Sequence, residues 1–132
     1  MKLLLDTCVF LHLIWDDARL RPGMRALLSN TEHDVFLSAV SVWESCVKHR
    51  IGKIRLRTHE DAWTHFTRQR LAHEIVSLPV NERHVRHLAN LPVLHRDPFD
   101  HLLICQAIEE GMAIVTPDTT IRQYPVKTIW EN

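Results

Sequence analysis

Four carboxylates fall where an α/β chain does its chemistry: Asp6, Glu44, Asp100 and Asp118. Asp6 follows directly on the apolar run at residues 3–5. Glu44 lies one turn into a helix that follows a second apolar run, and Asp118 closes Thr116-Pro117-Asp118 after a third. In an open parallel sheet, sites form outside the carboxyl ends of the strands. Asp100 joins the other three only if its helix begins at that same edge, after a reversing loop through residues 91–96. Four converging carboxylates raise one another's pKa and call for a compensating cation. Hard oxygen ligands favour Mg²⁺ or Mn²⁺. Two such ions roughly 3.5–4 Å apart activate a water and stabilise the leaving oxygen of a phosphodiester. That chemistry suits a nuclease.

Each acid also has a purely structural role open to it. Ser41-Val42-Trp43-Glu44 has capping-box spacing, and Glu44 is also one turn from Lys48. Asp100 can serve as a first-turn acid facing the helix dipole, Asp118 as a turn residue after proline, and Asp6 as a cap. Asp97, directly before Pro98, reads as the N-cap of the following helix rather than a ligand.

The elements that would position these residues alternate. Apolar or β-branched runs at 3–5, 35–37, 75–78, 113–116 and 128–130 predict five strands. Helical periodicity predicts helices near 7–15, 22–29, 41–51, 59–72, 81–90 and 98–110. Several strand runs are continuously apolar, as expected when helices cover both faces of a sheet. The pattern predicts an α/β fold with a mostly parallel five-stranded sheet. The broadly apolar helix from Pro98 is expected to be well buried and to stop at Gly111.

Composition narrows the setting. At 132 residues the chain has the length of one domain spanning 1–132, and sixteen basic side chains balance sixteen acidic ones. Any RNA affinity must therefore come from a local basic patch, although ten histidines make the protein cationic below about pH 6.5. The apolar start is too short for a signal peptide, and no stretch approaches a membrane span. Three cysteines without a CxxC pair (Cys8, Cys46 and Cys105) read as reduced thiols of a cytoplasmic protein.

The blocks carrying the acids resemble the PIN-domain family, and its VapC-type toxin ribonucleases in particular. Leu3-Leu4-Leu5-Asp6-Thr7 is similar to the opening of a PIN domain. Ser38 to Glu44, followed by Lys48, Gly52, Lys53 and Ile54, resembles the second block. His95-Arg96-Asp97-Pro98-Phe99-Asp100 resembles the third, and Val115-Thr116-Pro117-Asp118 the fourth. The resemblance implies a three-layer α/β/α sandwich and Mg²⁺- or Mn²⁺-dependent endoribonuclease activity that leaves 5′-phosphate and 3′-hydroxyl ends. By the same resemblance Asp6, Glu44, Asp100 and Asp118 hold the metal, and Thr7, Thr116 and Asp97 stand beside it. It also implies RNA as substrate, a cognate antitoxin as partner and a homodimer. The chain departs from the family at His101, where relatives often carry arginine, and at Cys8. Both changes bear on substrate preference more than on catalysis.

Lys48, Arg50 and Lys53 belong to a cationic run through Arg57 that suits RNA phosphates, or equally a solvated helix end. His12, His49, His73, His95 and His101 show no metal-binding spacing and read as surface or interface residues, with His101 the one placed to touch substrate or water. Cys8 and Cys46, two residues after a proposed ligand, are expected to point elsewhere and pack in the core. Trp15, Trp43, Trp63 and Phe66 read as core or interface residues before base-stacking ones. An apolar surface around residues 9–15 and the 59–72 helix offers a place for a partner. A haloacid-dehalogenase phosphatase needs a second Asp where Cys8 stands, and a phospho-receiver needs an acceptor Asp that Leu78-Pro79-Val80 does not supply. The remaining alternatives are a PIN-like module that binds RNA or a partner without cutting, and a nuclease directed at DNA.

Overall fold

In the computed structural model, which describes residues 1–131, all four strand pairings are parallel. The central strand is β1 (Lys2–Leu5). It pairs with β2 (Asp34–Ser38) on one side and β4 (Ala113–Val115) on the other, and β3 (Val76–Leu78) and β5 (Thr128–Ile129) extend the two edges. The order is β3-β2-β1-β4-β5. Parallel neighbours need long crossovers, and the helices supply them. α1 (Thr7–Ile14) and α2 (Pro22–Ser29) link β1 to β2, and α3 (Ala39–Arg50) and α4 (Ala62–Ala72) link β2 to β3. α5 (Glu82–Val85), a 3₁₀ turn (Arg86–Asn90) and α6 (Pro98–Glu110) lead to β4.

Alternation along the strands divides the core into two layers. Leu3 and Leu5 point to the face covered by α1, α2 and α4, where they meet Phe10, Met24 and Phe66. Leu4 points to the other face, with Leu103, Ile104, Ile114 and Tyr124. Because consecutive connections leave β1 in opposite directions, the order reverses between β1 and β4. A crevice opens at such a switch point, outside the carboxyl ends of the two strands.

Helix α6 follows expectation. Asp97 caps it, accepting from the amides of Phe99 (2.9 Å) and Asp100 (3.4 Å), and Gly111 ends it in the left-handed region at φ 67°. α3 does not. The expected Ser41–Glu44 capping box is absent, because the helix starts two residues earlier and Ser38 caps it by accepting from Val40 N at 3.1 Å. Ser41 is therefore inside the first turn, buried against α1. α4 starts at Ala62, later than expected, with Asp61 as its cap. The segment expected as one helix over 81–90 tightens into a 3₁₀ turn at Arg86, where Arg86 and His87 both reach Glu109 on α6. Of the four large aromatics assigned to packing, only Phe66 is buried. Trp15, Trp43 and Trp63 are exposed, the last two by 61% and 63%, so they are surface rather than core residues.

Candidate active site

The crevice between β1 and β4 holds Asp6 and Thr116. Asp6 N donates to Val115 O across the strand ends (3.0 Å), and the Asp6 side chain is only 7% exposed. Thr116, fully buried, donates from Oγ1 to Asp6 Oδ2 at 2.7 Å and accepts from Asp118 N at 3.0 Å. One hydroxyl thus fixes the carboxylate after β1 and the loop that carries Asp118. Asp118 in turn accepts from Thr120 N and Ile121 N at 2.8 and 3.1 Å, so one of its oxygens holds the turn at Ile121–Gln123.

Glu44 is brought in from α3. Thr7, the first residue of α1, donates from Oγ1 to Glu44 Oε1 at 2.8 Å and has Ser41 Oγ at 2.9 Å as its second partner. The other Glu44 oxygen faces Lys48 Nζ one helical turn away, at 3.5 Å. Cys8 departs from expectation. α1 begins immediately after Asp6, which places the Cys8 thiol in the first turn, 3.8 Å from Asp6 Oδ2, while it also packs against the core. Burial, and then the Asp6 charge, push this thiol up to about 12, so it stays protonated at neutral pH. Cys46 packs against the core as expected.

Asp100 reaches the cluster from the start of α6. Its Oδ2 lies 2.9 Å from His95 Nε2, and the side chain is 14% exposed. The His95 ring is held in turn by the Tyr124 hydroxyl, 2.8 Å from Nδ1, and His101 Nε2 lies 2.8 Å from the His95 carbonyl. The sequence reading took His95 for a surface or interface residue and did not single out Tyr124, although the position of His95 five residues before Asp100 was a usable signal. Tyr124 gave none, since its partners are some thirty residues away in sequence. Asp97 faces the α6 amides as a cap. Asp97→Asn should therefore leave stability and activity close to the parent, whereas Asp97→Ala should cost about 1 kcal/mol in urea denaturation. Equal losses in both variants would mean that the Asp97 charge, not its capping oxygen, is what the site needs.

The charges of the four acids act on one another. Burial raises Asp6 above the ordinary carboxylate range. The Thr116 hydrogen bond opposes the shift, and the charges of Glu44 and Asp118 add to it. Asp100 is pushed up to about 6, first by burial, with His95 opposing and Asp6 and Asp97 adding. Lys48 is the one lysine or arginine in ion-pair contact with any of the four, among the described residues. Among those residues no three His, Cys, Asp or Glu side chains close into a ready-made ion shell. The donor set nevertheless fits a hard cation, because the four acids supply oxygen donors and a surplus of negative charge that the protein leaves largely unbalanced. One oxygen of each carboxylate is anchored by Thr116, Thr7, His95 or backbone amides.

The cationic run continues from this cluster along the surface. Arg50 ends α3 exposed, and Lys53, Arg55 and Arg57 line a groove of about 560 Å³ with Ile14 and Trp15. Its apolar lining comes from Ile14 and Trp15 at the end of α1 and from Ile54 and Leu56, and His65 and Gln69 of α4 also line it.

The profile of the PIN domain family matches residues 3–127. No curated protein matches the chain. Solved structures resemble it in fold over nearly its whole length. VapBC2 from Rickettsia felis, bound to a DNA fragment from their promoter, aligns with a TM-score of 0.75 at 15% identity, covering 99% of this chain and 100% of that one. VapBC-1 from nontypeable Haemophilus influenzae gives 0.67 at 17% identity, covering 98% and 97%. FitAcB from Neisseria gonorrhoeae gives 0.55 at 21%, covering 96% of each.

Proposed function

The chain belongs to the PIN-domain family, and on that premise we propose that it is a Mg²⁺- or Mn²⁺-dependent endoribonuclease, the toxin of a toxin–antitoxin pair. One observation carries the proposal. A carboxylate buried at the switch point of a parallel sheet, Asp6, is raised by burial and by two further acids, with no lysine or arginine among the described residues paired to it. Perturbed carboxylates of this kind cluster at functional sites, and a divalent cation is a species that relieves their repulsion.

In this reading Asp6, Glu44, Asp100 and Asp118 would hold the ion, Glu44 through the oxygen that faces Lys48. When bound, the ion would lower the pKa of a water and stabilise charge on the scissile phosphate. Thr116 and Thr7 keep Asp6 and Glu44 from turning away. Lys48 balances part of the charge, and with Arg50 and Lys53 it takes RNA phosphates beside the site, so binding weakens with salt. The groove lined by Ile14, Trp15, Lys53 and Arg55 suits an antitoxin segment with apolar and acidic side chains, and a homodimer follows the family pattern. No helix among the described residues is long and apolar enough to cross a membrane, which accords with a cytoplasmic enzyme.

The test is expression of the wild type and Asp6→Asn in a bacterial host without any partner, followed by mapping of new 5′-phosphate RNA ends. Ends that appear with the wild type alone establish the activity and name the substrate. The open ion shell favours one second reading, a PIN-like module that binds RNA or a partner without cutting. Folded wild-type protein that binds RNA and yields no new ends, in cells or on purified total RNA with Mn²⁺, would favour that module.

A further inference from the structure

Tyr124 sits where two loops meet. It is buried, and it follows the turn at Ile121–Gln123 whose start is held by Asp118. Its hydroxyl oxygen accepts from Leu94 N at 3.1 Å and from His95 N at 3.2 Å, which uses both lone pairs. The hydroxyl hydrogen then has two ring nitrogens within reach, His95 Nδ1 at 2.8 Å and His101 Nε2 at 3.3 Å. His101 Nε2 lies 2.8 Å from the His95 carbonyl, which can only accept, so that nitrogen carries its own hydrogen. The tyrosine hydrogen therefore goes to His95 Nδ1. With Nδ1 accepting, the network assigns the His95 hydrogen to Nε2, and Nε2 donates to Asp100 Oδ2 at 2.9 Å.

We propose that Tyr124 and His95 are positioning residues acting in series. Tyr124 selects the His95 tautomer that donates to Asp100, and His95 then holds Asp100 Oδ2 so that its other oxygen is presented to the cation. The inference rests on the reading of Asp100 as a metal ligand. Metal-binding side chains are commonly oriented in this way by a hydrogen-bonded neighbour, whose loss weakens metal binding about 10- to 100-fold. The arrangement also ties the loop carrying Asp118 to the loop leading into Asp100, so two of the four acids are set relative to each other through one phenol.

A double-mutant cycle on the full chain tests the series. Mn²⁺ affinity is measured from the paramagnetic resonance of free Mn²⁺, and kcat and KM are measured on a cleavable RNA. Tyr124→Phe and His95→Leu should each weaken Mn²⁺ binding about 10- to 100-fold and lower kcat with KM for RNA unchanged. The double variant should be no worse than His95→Leu alone, because a tyrosine acting only through His95 has nothing left to act on. His95→Gln, which retains an N–H donor, should recover part of the loss. Melting curves establish that each variant is folded, and if His95→Leu is not, Tyr124→Phe on the wild-type and His95→Gln backgrounds makes the same comparison. Wild-type Mn²⁺ affinity in folded Tyr124→Phe, or losses that multiply in the double variant, overturn the relay. Asp100→Asn separates the two levels. If it weakens Mn²⁺ binding while the relay variants do not, the relay alone fails; if it binds Mn²⁺ as the wild type does, the metal-site reading fails and the relay with it.

Discussion

Asp6→Asn is expected to abolish RNA cleavage, by about a thousandfold or more, while making the ion-free protein more stable. The loss follows from removing one ligand charge at the centre of the cluster, where several kcal/mol of transition-state stabilisation depend on the cation. The gain follows from the same burial. Asp6 is raised above its ordinary range mainly by desolvation, with Glu44 and Asp118 adding repulsion, so at neutral pH its charge works against folding. Asparagine has nearly the same shape, and its carbonyl oxygen can still accept from Thr116. Relief of this penalty should appear as a rise in Tm, at roughly 2–8 °C for each kcal/mol gained. Calorimetry in EDTA and a cleavage assay in Mn²⁺ check the two halves independently. Activity within tenfold of the parent would remove Asp6 from the ligand set. A lower Tm in EDTA would show that the site is not the strained assembly its electrostatics imply.

The second large effect is a dependence on pH whose direction the cation reverses. Without divalent ions, stability should increase as pH falls through 6 towards about 4. Asp100 is pushed up to about 6 in the folded chain, against an ordinary 3.8. Above pH 6 it is ionised in both folded and unfolded states, and its burial is fully unfavourable. Below 6 the folded state takes up a proton that the unfolded state does not yet hold, so this stabilisation is complete below about 3.8 and lost as pH rises through 6. The ceiling is about 3 kcal/mol at roughly 1.36 kcal/mol per pH unit, and partial solvent exposure brings the observed value below it. With saturating Mn²⁺ the ionised carboxylates are the bound species, so stability should instead rise with pH. Urea denaturation at several pH values, in EDTA and in Mn²⁺, measures both slopes. Asp100→Asn is the control, and an EDTA slope identical in that variant and the wild type would refute the assignment to Asp100.

The order of strands and helices was legible because short continuous apolar runs such as Leu3-Leu4-Leu5, alternating with helical periodicity, fit interior strands of a covered sheet. The positions of Asp6 and Asp118 were legible for the same reason, since residues directly after such strands must lie at one edge. Asp100 was conditional on a reversing loop, and the chain does turn back before Pro98 to bring it within range of the Asp6 charge. What the sequence concealed were side-chain partners chosen by tertiary packing. Ser41 has the spacing of a cap, yet a buried contact with Thr7 occupies it. Cys8 was judged by its two-residue offset from Asp6, on a strand exit or a helix, which ignores that Asp6 is the residue from which α1 departs. Tyr124 carries no motif, because its importance depends on two loops meeting.

The Thr116–Asp6 hydrogen bond joins residues 110 positions apart, and the strand pair beneath it closes the same long loop. Contacts at such separation form late, after the entropy of closing the chain has been met by other packing. The β1, β2 and β3 half of the sheet has all its strands within the first 78 residues and is available for pairing long before β4 is synthesised. A nascent or truncated chain ending before β4 would therefore carry Asp6, Glu44 and their neighbours with no Thr116 to orient them. On the proposed function, competence to cleave therefore waits until β4 and Thr116 have been made and β4 has paired with β1. For a ribonuclease, the function proposed above, that delay would separate translation of the acids from the activity they support.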